Sequence, residues 1–188
     1  MKAPLTRIVA IILFLVPVLP SAAPSATLLA ESCTGCHGSN GHSQGQTIPS
    51  IVGYPVSYFI KTMQAFKSGD RPSTVMGRIA KGYNDEEIKA MAAFFTTRPY
   101  ISNAQTLNKG RVEQGKPLYV KHCQSCHGKK GNKWSAGAVG GQWLPYLQYS
   151  LQDFMAGQRT APDGMMNALK TLSPGEQEAI LNYAASLR

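Results

Sequence analysis

Apolar residues recur at helical spacing in several separate stretches of this chain. Between residues 58 and 66 they fall at Phe59, Ile60, Met63 and Phe66, which form one face of a helix. A matching stretch runs from residue 144 to 154, and a further apolar run extends from residue 88 to 95. No stretch shows the convincing alternation of a β-strand. The pattern therefore predicts an all-α fold.

Polar residues mark where two of these helices begin. Asn84 is followed three positions later by Glu87, and Ser173 is followed by Glu176 with Pro174 at the first helical position. Each pair can form a capping box, in which side chains bond the free backbone N–H groups of the first turn. A short helix is also predicted to end within residues 116–121. Glycine-rich segments at 38–45 and 128–141 are predicted to be loops.

The first residues of the chain resemble a secretory signal peptide. Lys2 and Arg7 precede an apolar run at residues 8–19, and small residues follow at 21–26. The run is shorter than the roughly 20 residues of a membrane span, although an uncleaved membrane anchor is the alternative interpretation. We expect residues 1–25 to be a signal peptide and the protein to be periplasmic. No second apolar run follows, so no stable membrane anchor is expected.

The chain is basic, with 19 Lys and Arg residues against 10 Asp and Glu residues. Loss of Lys2 and Arg7 with the signal peptide leaves 17 basic residues, a net charge of about +7. Such a charge suits docking to an acidic protein surface, or it serves solubility alone. An exported protein without a nucleic-acid-binding motif is not expected to bind nucleic acid.

All four cysteines occur in two Cys-x-x-Cys-His motifs. The first spans Cys33, Cys36 and His37, and the second repeats the spacing 90 residues later, with Cys123, Cys126 and His127. In c-type haem attachment the two thiols form thioethers with the haem vinyl groups, and the histidine binds the iron. The motifs predict two covalently bound haem c groups, with His37 and His127 as proximal ligands.

Two other interpretations of the cysteines are weaker. The pairs could be redox disulfides, which exported cysteines often form, or the halves of a zinc site. A histidine follows both pairs, however, and the pairs are too far apart for a zinc ribbon. No thioredoxin-like βαβ pattern surrounds either pair.

The second half of the sequence repeats the first, with offsets of 88 to 90 positions. The matched positions include Cys33/Cys123, His37/His127, Gly53/Gly141, Tyr58/Tyr146, Phe66/Phe154, Arg71/Arg159 and Met76/Met165. A run of matches this long indicates a duplication. We predict two tandem cytochrome c domains related by pseudo-twofold symmetry, at residues 26–98 and 109–188, with a linker at 99–108.

Methionines are the candidates for the sixth iron ligand. The soft thioether favours ferrous iron and raises its potential, and methionine is the usual partner in electron-transfer cytochromes. Met76 lies in a predicted loop before the last helix of the first half, and Met165 takes the matching place in the second. Met166 is adjacent and remains an alternative to Met165. The other candidate methionines, at positions 63, 91 and 155, are expected in the core.

Two further histidines and a proline lie near the motifs. His42 and His122 are possible rival ligands, but neither has a partner in the repeat, so we expect solvated or haem-edge positions. The carbonyl of Pro49 is expected to bond the ring of His37 and fix its orientation. The aligned position in the second half is Gly137, where this role is less certain.

These features resemble a known family. Both halves combine Cys-x-x-Cys-His, a Gly-x-x-x-x-Tyr segment leading into a helix, and a methionine before a final helix. The whole mature chain is similar to dihaem class I cytochromes of the c-four type. It resembles more closely the dihaem cytochrome subunit of flavocytochrome c sulfide dehydrogenase. The most specific segments are MGRIAKGY at residues 76–83 and GQWLPYLQY at residues 141–149.

The resemblance implies a division of labour between two subunits. A flavoprotein would oxidise sulfide with FAD, and this chain would pass its electrons one at a time to a small cytochrome or another acceptor. The chain has no Gly-x-Gly-x-x-Gly after a strand, so FAD is expected only on the partner. This chain alone is not expected to be catalytic. A free dihaem carrier that serves a terminal oxidase is the alternative. A haem enzyme with an open iron position is disfavoured by the two methionines.

Overall fold

Nine α-helices form the regular framework of residues 23–132 and 136–188, the ranges that this computed structural model describes. The first half contains α1 (Ala26–His37), α2 (Val56–Ser68), α3 (Met76–Ala80) and α4 (Asp85–Thr96), with a 3₁₀ turn at Ser39–Gly41. The second half contains α5 (Lys109–His122), α6 (Gln124–His127), α7 (Leu144–Met155), α8 (Asp163–Lys170) and α9 (Pro174–Ser186). Neither range contains a β-strand, which confirms the all-α prediction.

Most of the predicted signal peptide, residues 1–22, lies outside the described ranges. Of the helices in the part that the structure does describe, none has the length and apolar character needed to cross a membrane.

The two predicted capping boxes are present. The side chain of Asn84 accepts a hydrogen bond from the backbone N–H of Glu87, and Glu87 in turn accepts one from the N–H of Asn84, at 2.8 Å. Ser173 and Glu176 make the reciprocal pair at the start of α9. Each cap satisfies two N–H groups that a helix cannot bond internally, and loss of a cap side chain costs about 1 kcal/mol.

The core of the first half lies where α1 and α2 pack against α4. Phe59 of α2 stacks on Phe95 of α4 with 5.6 Å between ring centroids. Met63 and Met91 are buried in the same cluster, as their helical faces predict. Burial of each such side chain contributes roughly 1.5–3 kcal/mol. This packing holds the end of α1, and therefore the first cysteine motif, against the rest of the half.

The core of the second half depends on close packing of α5 against α9. A Cβ at Gly115 would lie 1.9 Å from the carbonyl oxygen of Ala179, so no larger residue fits there without moving a helix. Tyr119, 1% exposed, packs on Tyr183 and donates a hydrogen bond to the carbonyl of Gly128 at 2.9 Å. These contacts of Tyr119 fix the end of α5, which leads directly into the second cysteine motif.

Four details differ from the sequence predictions. The short helix expected to end within residues 116–121 is the 14-residue helix α5, which contains Pro117 and ends at His122. Met76 and Met165 were predicted in loops, but Met76 begins α3 and Met165 lies in the first turn of α8. Met155 was expected in the core but is 44% exposed, because it is the last residue of α7.

The two halves are joined by buried hydrogen bonds. The indole N–H of Trp143 donates to the carbonyl of Ser43 at 3.0 Å. Gln142 bonds both backbone groups of Ser50, and the N–H of Tyr146 donates to a carbonyl of the first half. Residues 97–108, which include the predicted linker, connect α4 to α5 without forming a helix or strand. The halves are therefore in direct contact.

Candidate cofactor sites

A cavity lies in each half, and the predicted site residues of that half line it. The first cavity has a volume of about 250 Å³. Cys33, Cys36 and His37 reach it from the last turn of α1, and Met76 reaches it from the start of α3. The local sequence explains the placement, because α1 ends at His37 and Gly38 follows with φ near +75°, a conformation that favours glycine.

The second cavity, about 300 Å³ in volume, repeats this arrangement. Cys123, Cys126 and His127 line it from the ends of α5 and α6, and Met165 lines it from α8. Met166 is not part of its wall. The structure therefore brings the eight predicted site residues together in two groups of four.

Both histidines are held through their Nδ1 atoms. The Nδ1 of His37 lies 2.8 Å from the carbonyl oxygen of Pro49, and that of His127 lies 3.4 Å from the carbonyl oxygen of Gly137. A carbonyl can only accept a hydrogen bond, so Nδ1 carries the proton and Nε2 keeps its lone pair. Burial lowers the pKa of both histidines. Burial therefore favours the neutral imidazole, the form that binds a metal.

The cysteine pairs each combine an inner and an outer thiol. Burial raises the pKa of Cys33, and it raises the pKa of Cys123 to about 11. Cys36 and Cys126 are exposed at the edges of their cavities. No disulfide joins any of the four cysteines. This arrangement fits haem c: two thiols available for thioethers, an imidazole with a free Nε2, and a thioether side chain in a largely apolar wall.

Three tyrosines lie between the two cavities and line both of them: Tyr54, Tyr58 and Tyr146. Tyr54 is buried, and its ring stacks on Tyr58 with 4.9 Å between centroids. Burial raises the pKa of Tyr54 well above its usual value. Tyr58 and Tyr146 are matched positions of the repeat, so each half contributes the equivalent residue to the shared wall.

Each cavity also has one arginine in its wall. Arg71 lines the first cavity and Arg159 the second. The guanidinium groups lie over the rings of Phe66 and Phe154, at 4.7 and 4.1 Å from the centroids. Arg159 also donates a hydrogen bond to Ser150. The two arginines are matched positions of the repeat. The repeat does not predict that their cavities are neighbours, because packing between the halves has no local sequence signal.

The remaining histidines take different positions. His122 forms part of the wall of the second cavity, whereas His42 lines neither cavity. The Nδ1 atom of His42 is buried, and the backbone of Pro99 interacts with the ring. The sequence analysis singled out residues 141–149 but gave no role to the side chain of Gln142, because contact with the other half has no local sequence signal.

Two family models match the chain. The model for cytochrome c matches residues 22–98. The model for cytochrome c oxidase, cbb3-type, subunit III matches residues 110–183. Each matched segment contains one Cys-x-x-Cys-His motif, which confirms that the two halves are both cytochrome c domains.

Several curated proteins are similar to the chain. The cytochrome subunit of sulfide dehydrogenase from Chlorobaculum tepidum is 50% identical over 68 residues, 36% of this chain and 61% of that protein. The match thus spans less than two thirds of that relative. Cytochrome c4 from Azotobacter vinelandii is 29% identical over 183 residues, covering 84% of this chain and 85% of the relative. Cytochrome c-553 from Nitratidesulfovibrio vulgaris is 32% identical over 78 residues, 39% of this chain and 76% of the relative.

A solved structure shows the same fold. Reduced recombinant cytochrome c4 from Pseudomonas stutzeri superposes with a TM-score of 0.74 at 24% sequence identity. The superposition covers 88% of this chain and the whole of that chain. The tandem arrangement of the two halves is therefore a known architecture.

Proposed function

The chain belongs to the class I cytochromes c, with two such domains in tandem, and we propose that it is the electron-transfer subunit of a periplasmic sulfide dehydrogenase. In this role it accepts electrons from an FAD-containing subunit and passes them to a small cytochrome or another acceptor. It is a carrier and does not act on sulfide itself.

The observation that carries this proposal is the pair of cavities, each lined by two cysteines, a histidine and a methionine of its own half. Covalently bound haem c would supply one-electron redox chemistry in each cavity. Cys33, Cys36, Cys123 and Cys126 would hold the two groups covalently. A histidine and a methionine of each half would both bind the iron, which favours electron transfer over catalysis.

The assignment of those axial ligands follows the cavity walls. His37 with Met76 and His127 with Met165 are the pairs that we propose. The absence of Met166 from the wall of the second cavity supports Met165 over its neighbour.

The proposed partner rests on the similarity to a named sulfide dehydrogenase subunit, which reaches 50% identity over 68 residues. The alternative, a free dihaem carrier, is supported by the c4 relative that matches along 84% of the chain at lower identity. Both functions use the same two sites, so the identity of the electron donor separates them.

The surface of residues 74–83 is the proposed docking site for the flavoprotein. Val75 and Ile79 are 49% and 41% exposed and also belong to the wall of the first cavity. Arg78 and Lys81 are exposed and do not line that cavity, whereas Arg71 does. Their position supports a role in docking an acidic partner over a role in binding haem propionates.

Purification from the native host tests the proposal. We expect a yellow flavin-containing subunit to copurify in equal amount, and the isolated complex to become reduced on addition of sulfide. Two results together would instead support the free carrier. The chain would purify without a flavin-containing subunit, and sulfide would not reduce it even after the separately purified flavoprotein is added.

Charge reversal tests the docking surface. Arg78→Glu and Lys81→Glu should slow association with the flavoprotein and change its salt dependence, while the haem potentials stay nearly fixed. Lys116→Glu, an exposed residue on α5, makes the same charge change on the other half and is the matched control. A displaced potential with normal association would contradict the docking assignment.

A further inference from the structure

The peptide group between Pro49 and Ser50 is held at both ends by side chains of different halves. Its carbonyl oxygen, on Pro49, lies 2.8 Å from Nδ1 of His37 in the first half. Its N–H, on Ser50, donates to Oε1 of Gln142 in the second half at 3.0 Å. Because a peptide group is planar, fixing the direction of the N–H also fixes the direction of the carbonyl.

Gln142 has little freedom to hold this peptide in any other way. Its Nε2 donates to the carbonyl of Ser50 at 2.8 Å, so its amide bonds both backbone groups of one residue. Gln142 and Ser50 are both fully buried, with no exposed surface. Water cannot replace these bonds without a rearrangement, and a buried N–H left without a partner is unfavourable.

We propose that Gln142 is a positioning residue that tunes His37 from across the interface between the halves. Hydrogen bonds in a chain polarise one another, so the bond from Ser50 N–H to Gln142 makes the Pro49 carbonyl a stronger acceptor. A stronger acceptor at Nδ1 makes the imidazole of His37 a better electron donor at Nε2. The inference rests on the proposed role of His37 as an iron ligand.

The corresponding contact in the second half is looser. His127 Nδ1 lies 3.4 Å from the Gly137 carbonyl, beyond the usual range of an N–H···O bond. Gly137 packs beside Tyr58 of the first half, where a Cβ would lie 2.8 Å from the hydroxyl oxygen. Tuning through Gln142 therefore concerns one haem, and the other is an internal reference.

Replacement of Gln142 by a residue of similar length without the amide tests the inference. In Gln142→Met we expect an upward shift in the potential of one haem, while the potential of the other and the iron–thioether absorption stay unchanged. The control is Ser50→Ala, which removes the hydroxyl that accepts from the N–H of Ser43 but keeps both backbone bonds to Gln142. Equal shifts in Gln142→Met and Ser50→Ala, or no shift in Gln142→Met, would overturn the inference.

Hydrogen exchange in the reduced wild-type protein gives a second test that needs no variant. We expect the Nδ1 proton of His37 and the backbone N–H of Ser50 to be protected together, and the Nδ1 proton of His127 to exchange faster. Rapid exchange at His37 while Ser50 stays protected would disprove the link. A wild-type protein without two His/Met haem spectra would refute the proposed function instead, so the two failures are distinguishable.

Discussion

Arg71 of the first half and Arg159 of the second line the two neighbouring cavities, and burial and, next, the positive charge of Arg71 lower the pKa of Arg159. Both are half-buried, and among the described residues neither forms an ion pair with a carboxylate. Two like charges held between two cavities create a site for anions. The carboxylate of Asp153 offsets part of the repulsion at Arg159, and haem propionates bound in those cavities would supply further negative charge.

Neutralising one of these arginines should lower a haem potential. Removal of a positive charge near the iron favours the ferric state, and a change on the order of 1 kcal/mol corresponds to roughly 40 mV for one electron. We expect Arg71→Gln to lower the potential of one haem by about that amount in a redox titration. Arg98→Gln is the matched control, because Arg98 also lies over a phenylalanine ring but lines neither cavity. Equal shifts in both variants would contradict the assignment.

The adjacent methionines of α8 allow a direct test of the second axial ligand. Met165→Ala should abolish half of the weak long-wavelength absorption that reports iron–thioether bonding, and should lower one potential. Met166→Ala should leave both unchanged, since Met166 is not part of the cavity wall. Met76→Ala should remove the other half of the signal. Loss of the signal in Met166→Ala alone would reverse the assignment.

Gly115→Ala should destabilise the second half. The added Cβ would meet the Ala179 carbonyl at 1.9 Å, and overpacking of this kind typically costs about 1–3 kcal/mol. Gly110→Ala, on the same helix, meets nothing closer than 3.5 Å and should be neutral or slightly stabilising. Thermal unfolding of both variants measures the difference. Similar unfolding temperatures for the two variants would show that α5 and α9 can move apart to accommodate the added methyl group without loss of stability.

The cap of α9 should make stability depend on acidity. Hydrogen bonds from the backbone and side chain of Ser173 lower the pKa of Glu176 in the folded protein. A lowered pKa means that this contribution is complete above the unfolded value, near 4.3, and disappears as the pH falls through the folded value. Glu176→Gln should therefore flatten the loss of stability below about pH 4 in acid titrations. An unchanged acid profile would exclude this contribution.

Much of the site could be predicted from the sequence because its signals are local. The Cys-x-x-Cys-His motifs place three site residues of each half within five positions, and the caps at Asn84 and Ser173 lie within one helical turn. The helix that carries Met165 was missed, since eight residues with Gly164 near the start show little periodicity. α5 was predicted too short because Pro117 and two glycines interrupt its pattern.

The features that depend on contact between the halves could not be predicted. Nothing in the sequence near Gln142 indicates that its amide bonds the backbone of Ser50, 92 positions earlier. The repeat aligns Arg71 with Arg159 but gives no distance between them. Both relationships arise from the docking of one domain on the other, which is set by the shape of two complete surfaces.

The bonds between the halves also affect how the chain responds to proteases. Ser43 and Ser50 of the first half are buried, and their backbone groups bond the side chains of Trp143 and Gln142 of the second half. Separation of the two halves would break these hydrogen bonds, and the backbone groups of Ser43 and Ser50 would then need water as a replacement partner. A single cut between residues 97 and 102 would therefore yield two fragments that stay associated and migrate as one particle until denatured. The peptide connection would serve to assemble the domains, and the buried contacts would keep them together afterwards.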